Sequence, residues 1–267
     1  VQSKPATRGT LIMLRPPLRS ELCACMPVLL RQRQPLCQRA LTVLVATYGV
    51  TTLKAHQSHP QIGCKLITTD ARRFQFSAVL YGRIEASIKM PAGTGTVPAM
   101  WMLGADFPTV SWPQTGEIDI VEAPAFNPKT VWTTLHMPRV TPINGDYHLQ
   151  YPSWDCVSSC NKYLYSANLS SDFHRYAMEW FPTHIDFYFD GVKIKSVTKA
   201  QAEAAGGNWV FSNREFYLML NNAINEDDSN WAGHINSATN GTTMKVAYVR
   251  YSRVTENGTT YGTLYQH

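Results

Sequence analysis

Three acidic residues lie within six positions of one another in the segment Thr115–Pro124, which reads TGEIDIVEAP. Glu117, Asp119 and Glu122 are separated by isoleucine and valine, which favour strands. In a strand, residues two apart share a face, so Glu117 and Asp119 point the same way. Strict alternation would send Glu122 to the opposite face, but one extra residue in a β-bulge would return it to the side of the other two. The spacing therefore predicts three carboxyl groups on one wall.

Carboxyl groups placed in this way are suited to acid–base chemistry. Like charges a few Å apart cannot all ionise freely, so at least one carboxyl has a raised pKa. Two carboxyls about 5 to 5.5 Å apart serve a retaining glycosidase, in which one attacks the anomeric carbon and the other protonates the departing oxygen. Glu117 and Glu122 are the natural pair, with Asp119 hydrogen-bonded to the nucleophile. The competing interpretation is a solvated edge strand, although such strands more often carry lysine than three acids.

The residues around these acids resemble glycoside hydrolase family 16, and in particular its laminarinase-like branch. The acid segment fits the family pattern E-[ILV]-D-x-x-E. Other matching segments follow in consistent order between about Gly63 and Arg253: YGRIEASIKMP from Tyr81, PAMWML from Pro98, TLH from Thr134, DFHRYAMEW from Asp172, IDFYFDG from Ile185 and FYLMLN from Phe216. The resemblance implies that Glu117 is the nucleophile, Asp119 its helper and Glu122 the acid/base.

Short alternating strands separated by Gly, Pro, Asn and Asp fill the chain from Cys64 onward, a pattern typical of an all-β sandwich or barrel. The family resemblance narrows this to a β-jelly-roll sandwich of two curved antiparallel sheets with a concave substrate cleft. One short helix is expected at Thr198–Ala205. The stretch Pro138–Tyr165 is expected to be a long loop that shapes one end of the groove.

Residues 1–45 differ in composition from the rest of the chain. They contain seven basic residues and one acidic residue, a net charge of +6, whereas the whole chain of 267 residues carries +5 and the remainder therefore −1. We divide the chain into this atypical basic segment and a family 16-like catalytic domain, 46–267. Because the basic excess is confined to one segment, it does not indicate a nucleic-acid partner. No stretch approaches the 18 apolar residues of a membrane span, and we expect no membrane partner.

Aromatic side chains are the second functional signal, because their flat faces can stack on sugar rings. Of the seven tryptophans, Trp101, Trp112 and Trp231 resemble cleft tryptophans of the family. His136, in the segment TLH, resembles a family position that contacts substrate near the scissile bond. Asn221 resembles a sugar-binding asparagine. We expect these five side chains to contact the substrate.

Two departures from the family pattern change what we expect. Val97 stands where the family commonly has a tryptophan, which removes one platform for a sugar ring. Ala247 stands where laminarinase-like members have an aspartate that helps to bind Ca²⁺. Since alanine has no side-chain oxygen, we expect no calcium here, and we expect no other metal or cofactor. Arg83 and Glu85, on the wet face of the strand that begins near Tyr81, are further candidates for the cleft.

Cys156 and Cys160 are close enough in sequence to form a disulfide within one loop. Such a bond would imply an oxidising compartment. A zinc site built on C-x-x-x-C is the alternative, but no second pair of ligands with zinc spacing follows.

Together these residues predict a secreted, monomeric, retaining endo-hydrolase of β-1,3-glucan, with mixed-linkage β-1,3-1,4-glucan as a second candidate substrate. A non-catalytic β-glucan-binding protein on the same scaffold is one alternative. A hydrolase of a galactan such as agarose or carrageenan is another, since those enzymes use the same acids. Transglycosylation also stays open, because it passes through the same covalent intermediate.

Overall fold

The computed structural model describes residues 78–153, 162–224, 231–239 and 241–265 with their side chains, and the backbone of four strands before residue 78. In chain order the first strands are β1 (Thr10–Leu11), β2 (Arg39–Leu41), β3 (Thr51–Lys54), β4 (Ile62–Ile67), β5 (Ala78–Leu80), β6 (Gly82–Lys89), β7 (Thr96–Gly104), β8 (Glu117–Glu122) and β9 (Thr130–Ile143). They are followed by β10 (Asp146–Tyr151), β11 (Lys162–Leu164), β12 (His174–Trp180), β13 (His184–Phe189), β14 (Val192–Thr198), β15 (Phe216–Ile224), β16 (Thr243–Ser252), β17 (Val254–Glu256), β18 (Thr259–Tyr261) and β19 (Thr263–Tyr265). A helix, α1 (Lys199–Ala204), lies between β14 and β15.

Two sheets form the body of the described protein. The larger sheet has ten strands, of which seven follow the order β10-β9-β8-β7-β15-β4-β2, while β11, β5 and β19 pair off this path. The smaller has seven, in the order β1-β16-β6-β12-β13-β14 with β3 beside β16. Within the described strands, pairing is antiparallel except between β2 and β4. This arrangement agrees with the predicted all-β sandwich.

The core lies between the inner faces of the two sheets. Along β7 and β15, alternate residues point inward and are buried: Met100, Met102, Leu218 and Leu220 from the larger sheet meet Ile84, Ile88, Tyr176, Met178, Trp180, Phe187 and Val246 from the smaller. On the other face of the same two strands, Leu103, Tyr217 and Met219 form a second apolar cluster with Trp101, Phe107 and Trp112. The larger sheet therefore has an outer face that is partly apolar, and the acids lie on this face.

The helix begins where the sequence predicts it. Thr198 is the N-cap, and its side chain accepts a hydrogen bond from the backbone N–H of Gln201 at 3.2 Å. The Gln201 side chain in turn accepts from the backbone N–H of Thr198 at 2.9 Å. This reciprocal pair is a capping box, which satisfies backbone donors at the first turn.

The stretch Pro138–Tyr165 was expected to be a loop, and for its described part this is wrong. β9 continues to Ile143, and Asn144 and Gly145 turn the chain with positive φ values of 51° and 81°. Two such residues form the tight turn of a β-hairpin, and β10 returns along β9. The pairing of the two strands fixes the end of the sheet beside the acids.

Most of the segment 1–45 lies outside the described residues, so its separation from the domain 46–267 stays a prediction. The described part contributes β1, which pairs with β16, and β2, which pairs with β4. Among the helices of the described residues, none combines the length and the apolar character that crossing a bilayer requires.

Candidate active site

The three acids lie on β8, and this strand contains a bulge where the spacing predicts one. In the pairing of β8 with β9, Asp119 is opposite Thr134 and Glu122 is opposite Trp132, so two residues of β8 oppose one of β9. The register with β7 also shifts here, between Met100 and Trp101. The extra residue reverses the alternation after Asp119, as a β-bulge does.

Cross-strand pairs show which face each acid occupies. Three rows cross the sheet: Leu103 with Glu117 and His136, Trp101 with Asp119 and Thr134, and Ala99 with Glu122 and Trp132. The members from β7 are two residues apart, as are those from β9, so all three rows share one face. The hydrophobic residues between the acids, Ile118, Ile120 and Val121, are buried in the core. The structure thus brings Glu117, Asp119 and Glu122 to the same face.

Gly116 determines how the chain enters β8. Its φ is +79°, and a Cβ added to it would lie 2.8 Å from Cγ2 of Val210 and 3.0 Å from Cζ of Phe216. A side chain is thus excluded by both backbone conformation and packing. Because Glu117 is the next residue, this glycine controls where the first acid begins.

Trp112, on the loop between β7 and β8, contacts Glu117 directly. Its Nε1–H donates to Oε2 of Glu117 at 2.9 Å. The loop is held at its base by the buried hydroxyl of Thr115, which lies 2.5 Å from Oδ1 of Asp106 and 3.2 Å from the carbonyl oxygen of Gly104. A hydrogen bond donated to a carboxylate stabilises its ionised form. Trp112 therefore favours a charged Glu117.

His136 faces the acids from β9. Its Nε2 lies 2.9 Å from Oδ2 of Asp119 and 4.0 Å from Oε1 of Glu117. Oδ2 of Asp119 is buried and has no well-aligned hydrogen bond from any described residue, so this imidazole is its close polar neighbour. The other nitrogen, Nδ1, lies 2.7 Å from Nε2 of His148. The structure thus places His136 next to two of the acids, while its contact with substrate stays a prediction.

Burial raises the pKa values of all three acids, and repulsion between the acids raises those of Glu117 and Glu122 further. For Glu117, burial and the charge of Asp119 raise the pKa to about 8, while His136 and the Trp112 hydrogen bond oppose the rise. Burial raises the pKa of Asp119 to about 7. Burial and the charges of Asp119 and Glu117 raise the pKa of Glu122 to about 8, against His136. Groups this close titrate together, so the cluster holds shared protons near neutral pH.

The predicted sugar-contacting tryptophans occupy different parts of this face. Trp101 is half-buried in the row of Asp119, and Trp112 lies beside Glu117. Trp231 is half-buried and meets Trp132 edge to face, with 6.4 Å between ring centroids. Aromatic faces therefore lie near both ends of the row of acids, a distribution suited to sugar rings.

Asn221 is engaged within the protein rather than open to the cleft. Its Oδ1 accepts from Nε1 of Trp101 at 2.6 Å, and its Nδ2 donates to the carbonyl oxygen of Val97 at 2.9 Å. Only 5% of the residue is exposed. The direct sugar contact stays a prediction, but the visible role of Asn221 is to orient Trp101. Val97, which stands where the family commonly has a tryptophan, contributes its carbonyl oxygen as the acceptor for Asn221.

Two residues of the site were not selected from the sequence. Trp132 is opposite Glu122. Trp132, Thr134 and His136 are spaced two residues apart, so the alternation of a strand could have predicted that Trp132 shares the face of His136. His148 contacts His136 from β10, and its register follows from a shift in the hairpin that the sequence does not display.

The suggestion that Arg83 and Glu85 reach the cleft is wrong. Both lie on β6, in the smaller sheet. Arg83 pairs with Glu85 at 2.7 Å and with Glu179 at 3.0 Å, and Tyr248 donates to Glu85 at 2.8 Å. Alternation identified a wet face correctly, but that face belongs to the opposite side of the sandwich from the acids.

The absence of a bound metal ion stays a prediction. Ala247 is exposed on β16 and supplies no side-chain oxygen, while the amino-terminal groups that would complete a calcium site fall outside the described residues. Ligand atoms of Glu117, Asp119 and His136 lie within 4.8 Å of one another, close enough to share an ion. The same closeness is needed by acids that share protons, so the geometry alone does not assign a metal. Cys156 and Cys160 also lie outside the described residues, and their disulfide stays a prediction.

A comparison with known families tests whether the chain belongs to the family that its motifs resemble. Residues 50–250 match the family described as Glycosyl hydrolases family 16. The chain belongs to glycosyl hydrolase family 16. The match covers most of the chain and includes all three acids, so the predicted family and its β-jelly-roll fold are confirmed.

Comparison with individual proteins shows how far the similarity extends. Glucan endo-1,3-beta-glucosidase A1 of Niallia circulans is 33% identical over 180 residues, which are 64% of this chain and 24% of that protein. Beta-1,3-glucan-binding protein of Penaeus monodon is 30% identical over 169 residues, 55% of this chain and 43% of that protein. The chain thus matches less than half the length of either relative. The solved endo-beta-1,3-glucanase of Pyrococcus furiosus is 31% identical with a TM-score of 0.57, and the match covers 79% of this chain and 78% of that one.

Proposed function

We propose that this family 16 protein is a retaining endo-hydrolase of β-1,3-glucan. The observation that carries the proposal is the asymmetric setting of two carboxyl groups on one face of β8. Glu117 accepts the indole hydrogen bond of Trp112, whereas no described residue donates a hydrogen bond to Glu122. A donor stabilises a charged carboxylate, and its absence in a buried setting favours the neutral acid. Of these two glutamates, Glu117 is therefore the one suited to act as the carboxylate, and Glu122 the one suited to act as the acid.

This difference supports the roles of nucleophile and acid/base. Glu117, as the carboxylate, attacks the anomeric carbon, while Glu122 gives its proton to the departing glycosidic oxygen. Glu122, now ionised, then takes a proton from the incoming water as that water attacks the glycosyl-enzyme ester. Two displacements at the same carbon retain its configuration. His136, whose Nε2 lies 4.0 Å from Oε1 of Glu117, favours the charge of Glu117 against the repulsion of Asp119.

The substrate class is supported by the surroundings of the acids and by the relatives. Trp101, Trp112, Trp132 and Trp231 give the face aromatic surfaces along the row of acids, as stacking on successive sugar rings requires. A relative that is 33% identical is an endo-1,3-beta-glucosidase, and a similar solved structure is an endo-beta-1,3-glucanase. We infer β-1,3-glucan as the main substrate, with mixed-linkage glucan as the second.

Purified protein incubated with laminarin tests the proposal. We expect the release of reducing sugar and of short oligosaccharides early in the reaction, as an endo-acting enzyme produces. Glu117→Gln and Glu122→Gln should each lower turnover by about three orders of magnitude or more, while circular dichroism shows that the fold persists. Glu203→Gln, on the exposed surface of α1, is the matched control and should retain full turnover. A Glu117→Gln variant that keeps most of its activity would refute the assigned roles.

A glucan-binding protein is the second candidate, because one relative that is 30% identical has that description. The two functions separate in a single experiment, since a binding protein would retain laminarin on an affinity gel and release no reducing sugar. Laminarin, lichenan, agarose and carrageenan compared side by side would also distinguish a glucanase from a galactan hydrolase. Added acceptor sugars would reveal transglycosylation through longer products.

We also propose that the protein acts outside the cell as a monomer. A polymeric glucan is too large to enter a cell unaided, which favours a secreted enzyme. Fractionation of cells that produce the full-length protein tests its location, and light scattering of the purified protein tests the monomer.

A further inference from the structure

His148 lies immediately behind His136, on the neighbouring strand β10. Nε2 of His148 is 2.7 Å from Nδ1 of His136, and the two rings are nearly parallel at 17°. The His148 ring also packs against Trp112, with 4.5 Å between the centroids. His148 therefore contacts two of the side chains that approach Glu117, His136 and Trp112.

The close approach of two ring nitrogens restricts where protons can be. A contact of 2.7 Å between imidazole nitrogens is favourable only when one of them carries hydrogen and the other a lone pair. If His148 donates, His136 carries its own proton on Nε2, which faces the carboxylate of Asp119 at 2.9 Å. If His148 accepts, His136 donates through Nδ1 and can hold a second proton on Nε2 as a cation. In the first arrangement, and in the second when His136 is a cation, Nε2–H faces the carboxyl group of Asp119.

The same contacts fix the orientation of the His136 ring. A half-turn of the ring would exchange Nδ1 and Nε2 for carbon atoms, and both the His148 contact and the Asp119 contact would be lost together. Without His148, the turn would be opposed on the polar side by the contact with Asp119 at 2.9 Å and the longer one with Glu117 at 4.0 Å. Histidines whose second nitrogen has a partner are held in one tautomer and one orientation.

We propose that His148 is a positioning residue that holds the His136 ring and the Trp112 indole against the acids, so that Glu117 and Asp119 can carry charge. The proposal rests on the proposed function, since it assigns a supporting role in the same site. His148 acts through its two neighbours and is not a catalytic residue.

The charges around the two histidines determine what pH dependence should follow. Burial and the charge of His136 lower the pKa of His148 to about 4, with a further lowering by Arg139 and an opposing contribution from Asp146. His148 therefore stays neutral at the pH where the acids titrate. Its effect on the pH profile must pass through His136.

His136 in turn faces acids on β8. The electrostatic effect of His136 lowers the pKa of Glu117 and of Glu122, and Asp119 is the nearest of the three acids, at 2.9 Å. Loss of its fixed orientation should therefore raise the pKa of the nucleophile. The acidic limb of kcat/KM, which follows ionisation of the nucleophile, should move to higher pH.

The test compares His148→Phe with His148→Gln by kinetics on laminarin across a range of pH. Phenylalanine keeps a ring against Trp112 but cannot bond to His136, whereas the glutamine amide can reach the position of the lost Nε2. We expect His148→Phe to lose about tenfold in kcat/KM and to shift the acidic limb up by about one pH unit. His148→Gln should return the limb to its original position. His184→Phe is the matched control, because His184 is also half-buried and stacks on an aromatic ring, 4.5 Å from Phe181, in the other sheet.

Nitrogen NMR of the histidine rings provides a readout that does not depend on activity. In the unmodified protein, His136 should show one slowly exchanging Nε2–H and no tautomer averaging, and His148→Phe should abolish that signal pattern. If the unmodified protein fails to cleave laminarin but shows this pattern, the proposed function fails and the positioning role survives. Tautomer averaging of His136 in the unmodified protein, or a His148→Phe variant with an unchanged acidic limb and unchanged His136 signals, overturns the role of His148.

Discussion

Replacing Trp112 by phenylalanine tests the charge setting of Glu117 with a small change. The substitution keeps an aromatic ring beside His148 and removes the N–H that donates to Oε2 of Glu117 at 2.9 Å. That hydrogen bond opposes the rise in the pKa of Glu117 caused by burial and Asp119. Its loss should therefore raise the pKa further, so that a smaller fraction of the nucleophile is ionised at neutral pH.

The size of the effect follows from the contact. A hydrogen bond to a charged group contributes about 1.5 to 3 kcal/mol. The side chain of Glu117 is 20% exposed, so water can replace part of the lost interaction and the lower end applies. About 1.5 kcal/mol corresponds to roughly one pKa unit, or about tenfold in the ionised fraction. We expect the acidic limb of kcat/KM to rise by about one pH unit.

The assay is laminarin hydrolysis measured at a series of pH values for the original protein and for Trp112→Phe. Trp209→Phe is the matched control, since Trp209 is buried and donates its Nε1–H to the carbonyl oxygen of Pro182 at 3.1 Å, with no acid of the site involved. Trp209→Phe should lower the melting temperature without shifting the acidic limb of kcat/KM. An acidic limb that stays in place in Trp112→Phe would show that the indole does not support the charge of Glu117.

Three further predictions concern the backbone and the support of the site. Gly116→Ala should lower the melting temperature and the turnover more than Gly258→Ala does, because both glycines have φ near +80° but only the first has neighbours within 4 Å of an added Cβ; equal losses would contradict the packing argument. Asn221→Ala, which removes a 2.6 Å acceptor from a cleft tryptophan, should raise KM about tenfold, as expected for about 1.4 kcal/mol. Asn222→Ala, on the core side of the same strand, should lower stability and leave KM unchanged. Glu117→Gln should raise the melting temperature more above pH 8 than near pH 4.5. The folded-state pKa of Glu117, about 8, exceeds the ordinary 4.5, so its ionisation destabilises the fold increasingly as the pH rises from 4.5 to 8. Calorimetry that shows the same gain in melting temperature at both pH values would contradict the raised pKa.

The acids and their bulge could be predicted because the signal is local. Glu117, Asp119 and Glu122 lie in one strand, so their spacing and the period of a strand together require an extra residue. The capping box of α1 could also have been predicted from the sequence, since its partners are three residues apart. Local geometry is specified by few residues, and the sequence displays all of them.

The support of the acids could not be predicted because it depends on contacts between distant segments. Trp101 and Asn221 bond to one another across 120 positions of sequence. His148 reaches His136 only because the hairpin of β9 and β10 shifts register between Asp146 and His148. A turn such as Asn-Gly indicates that a hairpin forms but leaves such a shift undetermined.

The placement of Arg83 and Glu85 shows a different limit. Alternation along β6 distinguishes a wet face from a dry one, and it did so correctly. It does not show which of the two sheets contains the strand. The ion pairs with Glu179 that place Arg83 on the outer face of the smaller sheet depend on β12, 96 positions away.

The most direct test of the roles of Glu117 and Glu122 is the configuration of the product when azide rescues their glycine variants. An aryl β-laminaribioside serves as substrate, and proton NMR determines the anomeric configuration of the glycosyl azide product. Glu117→Gly should give the α-azide, because azide enters directly from the side that the nucleophile has vacated. Glu122→Gly should give the β-azide, because Glu117 still forms the glycosyl-enzyme and azide then displaces it. An α-azide from Glu122→Gly, or a β-azide from Glu117→Gly, would contradict the assignment of nucleophile and acid/base.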